Sequence, residues 1–329
     1  MSVPCCAPNG RGRVLADVSS VLRYVLLCFA ISWSVWFAIP LAAHGNWSLM
    51  KVLIGIGLGP GLAAVLLARG RVSWPHFAVV ALIVAALSVS ILLTGDALTA
   101  ADFRHVQPPG LTAIGILGSI AAACVCGAIA GCSRPNRAPL RWSLYALLLP
   151  AAIALVALLI ARVNGERVEP LAQGLPRATW LWYSLRAALF TFVVVGIGEE
   201  TGWRGYLLPR LQSRFSPLNA SLITGVLWAL WHFPLFVIGA YPGGPERILE
   251  YLFIAPILSL LFTAVYNRSG GALLPCIALH TAINNTTRFV PETSYYAPLL
   301  IVTIVAITIK DRMWRKRVNA AAAMRVEAV

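Results

Sequence analysis

An all-α, polytopic bundle of about eight to ten transmembrane helices is the fold this sequence predicts, and three observations predict it. Hydrophobic residues fill 59% of the 329 positions and charged residues only 12%, against about 25% charged in an ordinary soluble domain. Mean hydropathy is +0.79. Apolar runs also recur along the chain at about 20 residues, the length that crosses a bilayer core.

The first run, 21–43, is too long for the apolar core of a cleavable signal peptide, so it is expected to remain as the first helix. Further spans are expected at 52–68, 77–95, 111–131, 143–162, 180–207, 218–239, 248–267, 272–288 and 296–310, the last two being short. This divides the chain into an N-terminal cytoplasmic tail (1–20), N-terminal transmembrane helices (21–179), a helical core (180–310) and a basic C-terminal tail (311–329). Gly59-Pro60-Gly61 and Pro256 are expected as kinks, which membrane helices tolerate where neighbours re-satisfy the backbone. Gly55, Gly57, Gly59, Gly115 and Gly118 suit close helix packing.

A net charge of +14 raises nucleic acid as a partner, but the basic residues are scattered through short loops rather than gathered on one module, so no nucleic-acid role is expected. They read instead as a membrane-orientation signal. With both termini in the cytoplasm, 17 of the 26 Lys and Arg residues fall inside and seven outside, while Arg186 and Arg204 lie within helices. The loops 96–110 and 163–179 are then external. Abundant alanine, with lysine only at Lys51, Lys310 and Lys316, suggests a GC-rich bacterial genome and hence a bacterial plasma membrane. The seven cysteines form neither a disulfide framework nor a zinc spacing. Cys5 and Cys6 precede the first helix and read as tail cysteines.

One stretch of this apolar chain stands out chemically. Gly196-Ile197-Gly198-Glu199-Glu200-Thr201-Gly202-Trp203-Arg204 sets two carboxylates and a guanidinium in a segment that reads as membrane, where ionisable groups are costly and mark function. On a helix, Glu200 and Arg204 share a face, while Glu199 is turned about 100° away. Alone, the stretch would equally suit a helix ending in a wet carboxylate cap. Two later apolar segments decide otherwise. Trp228-Ala229-Leu230-Trp231-His232 carries one histidine, and His280-Thr281-Ala282-Ile283-Asn284 carries another with an asparagine one turn on.

In these residues the sequence resembles the CAAX-protease and bacteriocin-processing (CPBP, or Abi) family of intramembrane endopeptidases. That family's pattern is Glu-Glu-x-x-x-Arg, then Phe-x-x-x-His, then His-x-x-x-Asn or Asp, on successive transmembrane helices. The match is Glu199, Glu200 and Arg204; then Trp228 and His232, with tryptophan in place of the family's phenylalanine; then His280 and Asn284. It spans roughly Leu181 to Phe289. The resemblance implies a CAAX-protease-like core and an endopeptidase, with Glu199 as base or ligand and His232 beside it. His280 and Asn284 would contact the water or the developing oxyanion, and Glu200 would pair with Arg204.

Two chemistries are open at this point. Glu199, His232 and His280 could bind a divalent metal such as zinc with a free position for water, or Glu199 could activate water directly as general base with no metal. A transporter or channel using the same residues as a proton or cation relay is the alternative from another class, although no duplicated halves are visible. A non-catalytic role in bacteriocin self-immunity is the third reading. No Gly-x-Ser-x-Gly or cysteine motif supports a covalent nucleophile. Gly55-Ile56-Gly57 and Gly196-Ile197-Gly198 lie in membrane helices and do not suggest nucleotide binding. His44, His76 and His105 sit at segment edges and read as interface residues. The expected partners are the lipid bilayer and a peptide or membrane-protein substrate.

Overall fold

The computed structural model describes residues 10–68, 72–95, 110–132, 140–169, 171, 176–241 and 243–316, with side chains from Ser19 onward. Cys5, Cys6, His105, most of the 96–110 loop and the last part of the C-terminal tail lie outside the described residues. Among the described residues the secondary structure is entirely helical. Eight helical stretches are long and apolar enough to cross a membrane: Ser19–Ala43, Trp47–Ala68, Trp74–Thr94, Ala113–Cys132, Leu140–Val163, Arg177–Gln212, Pro217–Val237 and Pro245–Arg268. The two expected spans outside this set are the short ones, seen as helices of 17 and 15 residues.

In chain order, α1 (Gly10–Ala43) already begins inside the stretch expected as a tail. The expected span 52–68 is two helices, α2 (Trp47–Ile54) and α3 (Gly59–Ala68), joined by a 3-10 turn at Gly55–Gly57. Asn46 caps α2, its side chain accepting from the Leu49 N–H at 2.9 Å, so one of the free donors at that helix start is satisfied. The antiparallel-neighbour helices α4 (Trp74–Thr94) and α5 (Ala113–Cys132) pack on each other. His76 is an edge residue as expected, its Nδ1 lying 2.6 Å from the Ser73 hydroxyl at the start of α4. Then comes α6 (Leu140–Val163), which packs on the late helix Leu273–Phe289.

The stretch from Arg177 to Gln212 is one continuous 36-residue helical run whose turn widens twice. It consists of α7 (Arg177–Phe190), a π segment at Thr191–Gly196, α8 (Ile197–Gly202), a second π segment at Trp203–Leu207, and α9 (Leu208–Gln212). The remaining helices are α10 (Pro217–Trp231), α11 (Phe233–Val237), α12 (Ile248–Arg268), α13 (Leu273–Phe289) and α14 (Tyr296–Lys310). Between α12 and α13 the chain reverses through Gly270 and Gly271, both in the left-handed region at φ 72 and 78. There the Gly271 N–H returns to the Tyr266 carbonyl at 2.7 Å, a helix stop that a side chain would strain.

Helix α8 is the centre of the packing. It lies against α3, α5 and α13, and glycines set how close they come. A Cβ on Gly61 would stand 2.5 Å from the Gly198 carbonyl oxygen, and one on Gly202 would run into the Pro60 backbone. The Gly-Pro-Gly break therefore works as a contact surface that lets α3 lie flat on α8. On the far side, Gly225 of α10 has no room for a Cβ against Pro256 of α12. Both prolines expected only to kink helices thus sit at helix crossings.

Candidate active site

The site grows out of α8, where wide turns on either side frame the acidic pair. Such π turns are rare and cluster at functional sites. The expected pair is present: Arg204 Nη1 lies 3.0 Å from Glu200 Oε1, and both side chains are fully buried. His280, brought in by α13, places Nδ1 2.7 Å from that same oxygen. Glu200 is therefore held from its own helix and from a second one.

Burying these charges is costly unless other contacts compensate. Glu200 Oε2 and Arg204 Nε and Nη2 have no hydrogen-bond partner. The guanidinium instead lies over aromatic rings, with Cζ 4.0 Å from the Phe262 ring centre and 5.1 Å from that of Trp228. A desolvated cation–π contact of this kind contributes about 2 kcal/mol.

Glu199 has different company. Its Oε2 accepts from the Trp228 indole N–H at 2.6 Å, and 4% of its surface stays open where Glu200 has none. Of the two neighbouring carboxylates, one is locked into the bundle and the other can meet a small molecule.

His232 stands where α10 ends, and Pro234, which has no N–H to donate, follows two residues on. Its Nδ1 lies 2.7 Å from the Trp228 carbonyl oxygen. A carbonyl only accepts, so Nδ1 carries the proton, and in the neutral ring Nε2 presents a lone pair. The same reasoning, with ionised Glu200 as acceptor, puts a proton on Nδ1 of His280. Trp231, Tyr241 and Tyr251 surround the His232 ring at centroid distances of 4.8, 5.6 and 5.3 Å. The Tyr241 phenol, in the loop after α11, is pushed well above its ordinary range by burial first, then by Tyr251 and Glu199. It therefore remains an O–H donor.

Glu199, Glu200, Arg204, His232 and His280 thus converge around Trp228, whose ring lies 5.8 Å from His232 and 5.7 Å from His280. Asn284 is placed differently. It is exposed, whereas its neighbour Asn285 is buried, with Nδ2 donating to the Thr281 carbonyl at 2.9 Å. Tyr241, Tyr251 and Phe262 escaped the sequence reading, because an aromatic in an apolar run gives no local signal of what it will face. The same donor set bears on a divalent metal. Among the described residues no three His, Cys, Asp or Glu side chains are assembled to hold one. Glu199 Oε2 accepts an N–H and both histidines spend Nδ1 on an oxygen, which leaves Glu199 Oε1 and the two Nε2 atoms as the donor atoms a metal would use.

Comparison with known proteins falls on the same part of the chain. Residues 180–286 match the family described as type II CAAX prenyl endopeptidase Rce1-like. The chain is also 39% identical over 97 residues to CAAX prenyl protease 2 of Methanococcus maripaludis, a stretch covering 29% of this chain and 34% of that protein. The chain thus spans about a third of the length of the curated relative it matches. Over residues 180–286, the segment holding all seven motif positions, the chain is thus similar to the CAAX-protease family that the three short motifs resemble.

Proposed function

We propose that the protein is a membrane-embedded endopeptidase of the CAAX-protease type, in which Glu199 activates the water that attacks a peptide bond near the membrane surface. The observation that carries this reading is the inequality of the two carboxylates: Glu200 is sealed by Arg204 and His280, while Glu199 keeps an open edge and shares Trp228 with His232. Glu199 takes a proton from water as the water oxygen bonds to the scissile carbonyl carbon. The carbon–nitrogen bond then breaks and the proton passes to the leaving nitrogen. His232 Nε2, with its lone pair free, shares that proton between the two steps. General-base action of this kind contributes about 100- to 10,000-fold.

No step here is routed through a metal. A divalent ion on Glu199, His232 and His280 would supply a Lewis acid, and the assay below tests that option directly. The name of the Methanococcus relative makes a prenylated CAAX peptide the first substrate to try, followed by peptide precursors and membrane-anchored proteins. Both termini are proposed to face the cytoplasm of a bacterial cell, which reporter fusions at 163–179 and after Val329 test by reporting opposite sides.

The deciding experiment is cleavage of a membrane-tethered peptide in proteoliposomes without any ion gradient, with and without a chelator. Cleavage by the wild-type protein and its loss in Glu199→Gln support the reading. Chelator-sensitive cleavage restored by added zinc would replace the direct base with a metal-bound water. Solute uptake driven by a gradient, with no cleavage, would replace the peptidase with a relay.

A further inference from the structure

We propose that Trp228 is the positioning residue of the site: its indole N–H fixes Glu199 Oε2 and thereby makes Oε1 the oxygen that meets water. This rests on the endopeptidase reading above and adds an atom-level assignment to it.

The indole nitrogen is a donor with no acceptor capacity, so the 2.6 Å contact commits Oε2 as acceptor. Hydrogen bonds to an ionised carboxylate are short and roughly twice as strong as neutral ones. Oε1 has no hydrogen-bond partner among the described residues, and Glu199 retains its open edge. A carboxylate anchored at one oxygen keeps a single aim for the other, which is the preorganisation a proton acceptor requires.

Trp228 is itself held firmly. Its ring meets His232, His280 and Phe262 at 5.8, 5.7 and 5.7 Å, and Arg204 lies over it at 5.1 Å. One turn earlier, the Gly225 contact with Pro256 brings α12 tight against α10. The Trp228 carbonyl also takes His232 Nδ1 at 2.7 Å. One residue therefore aims both the base and the imidazole beside it. The phenylalanine of the family pattern would keep the ring and the carbonyl but has no N–H. The alternative, that Trp228 merely fills space, requires the phenylalanine ring to serve equally well.

Trp228→Phe removes the N–H together with the five-membered ring and keeps an aromatic side chain at the position. In the proteoliposome assay it is expected to lower kcat about ten- to hundredfold, the effect of losing a hydrogen bond to a charged group, with KM near wild type and a melting temperature lowered by the lost ring volume. A Trp228→Phe protein that keeps wild-type kcat, or that loses KM alone, overturns the proposal and leaves the endopeptidase reading standing. No cleavage by the wild-type protein overturns both. A second measurement needs no activity. In protein labelled with 15N at its 11 tryptophans, Glu199→Gln should shift one indole N–H resonance upfield, and that same resonance should be missing from Trp228→Phe. An indole spectrum unmoved by Glu199→Gln overturns the assignment even where Trp228→Phe fails to fold.

Discussion

The Nδ1 of His280 lies 2.7 Å from Oε1 of Glu200, and through this oxygen, not one on Glu199, α13 is tied to α8. Two adjacent glutamates are thereby held differently: Glu200 is a fixed joint of the bundle, and Glu199 is the one proposed as its reactive edge.

If the joint is structural, removing its cation should damage the fold. Arg204→Ala leaves the buried Glu200 charge facing only His280, and losing one partner of a desolvated pair costs about 3–5 kcal/mol. Folded yield in detergent and melting temperature should both fall. A variant that accumulates and melts like wild type would show that the pair carries no stability.

Conservative changes at the two glutamates should separate their tasks. Glu199→Gln is expected to reduce cleavage by about 100-fold or more with the melting temperature preserved, because only the indole contact is altered. Glu200→Gln should lower the melting temperature as well. Adding His232→Ala to Glu199→Gln should cost little further activity, since groups acting on one proton lose their effects non-additively. Parallel melting curves and rates for the three proteins check this.

The crossing of α3 and α8 offers a test within a single helix. Gly202→Ala pushes a methyl group into the Pro60 backbone, with the Tyr24 hydroxyl 2.5 Å away, and overpacking of this kind costs about 1–3 kcal/mol. Gly205→Ala, three residues on, meets only the end of the Leu273 side chain at 3.3 Å. It is expected to be neutral, or stabilising by up to about 1 kcal/mol through reduced chain entropy. The difference between the two melting temperatures is the measurement.

Away from the membrane, Glu166 gives a pH-dependent contact. Its carboxylate accepts from the Ser294 N–H at 3.0 Å and from the Ser294 hydroxyl at 2.7 Å, and these bonds, the backbone one first, hold its pKa below the ordinary carboxylate range. The folded pKa is the lower one, so the contact is intact at neutral pH and is lost as pH falls through that lowered value. Hydrogen-exchange protection of the Ser294 amide should therefore drop in acid for wild type and be low at every pH for Glu166→Gln.

What was legible beforehand follows the range of the interactions involved. The Glu200–Arg204 pair was readable because both residues lie on one helix, where spacing alone sets distance. The spans were readable because bilayer thickness sets their length. His280 was expected near the water, yet its Nδ1 meets Glu200, because the approach of α13 depends on glycine contacts that no local pattern reports. Trp228 was legible as an aromatic one turn before His232, but its N–H reaching Glu199 from 29 residues away was not. Asn284 and Asn285 are adjacent, and only the tilt of α13 makes one exposed and the other buried.

The widened turns at Thr191–Gly196 and Trp203–Leu207 carry a further consequence for the acidic pair between them. A π turn holds one residue more than an α turn, so each sets the phase of the helix that follows it. Were the same residues of the first to close into regular α-helix, with none deleted, the residues that follow would rotate by about 100°. That is also the angle between neighbouring side chains, and therefore between Glu199 and Glu200. Which of two chemically identical glutamates faces the indole and which faces the arginine is thus indexed by the pitch of the helix that precedes them.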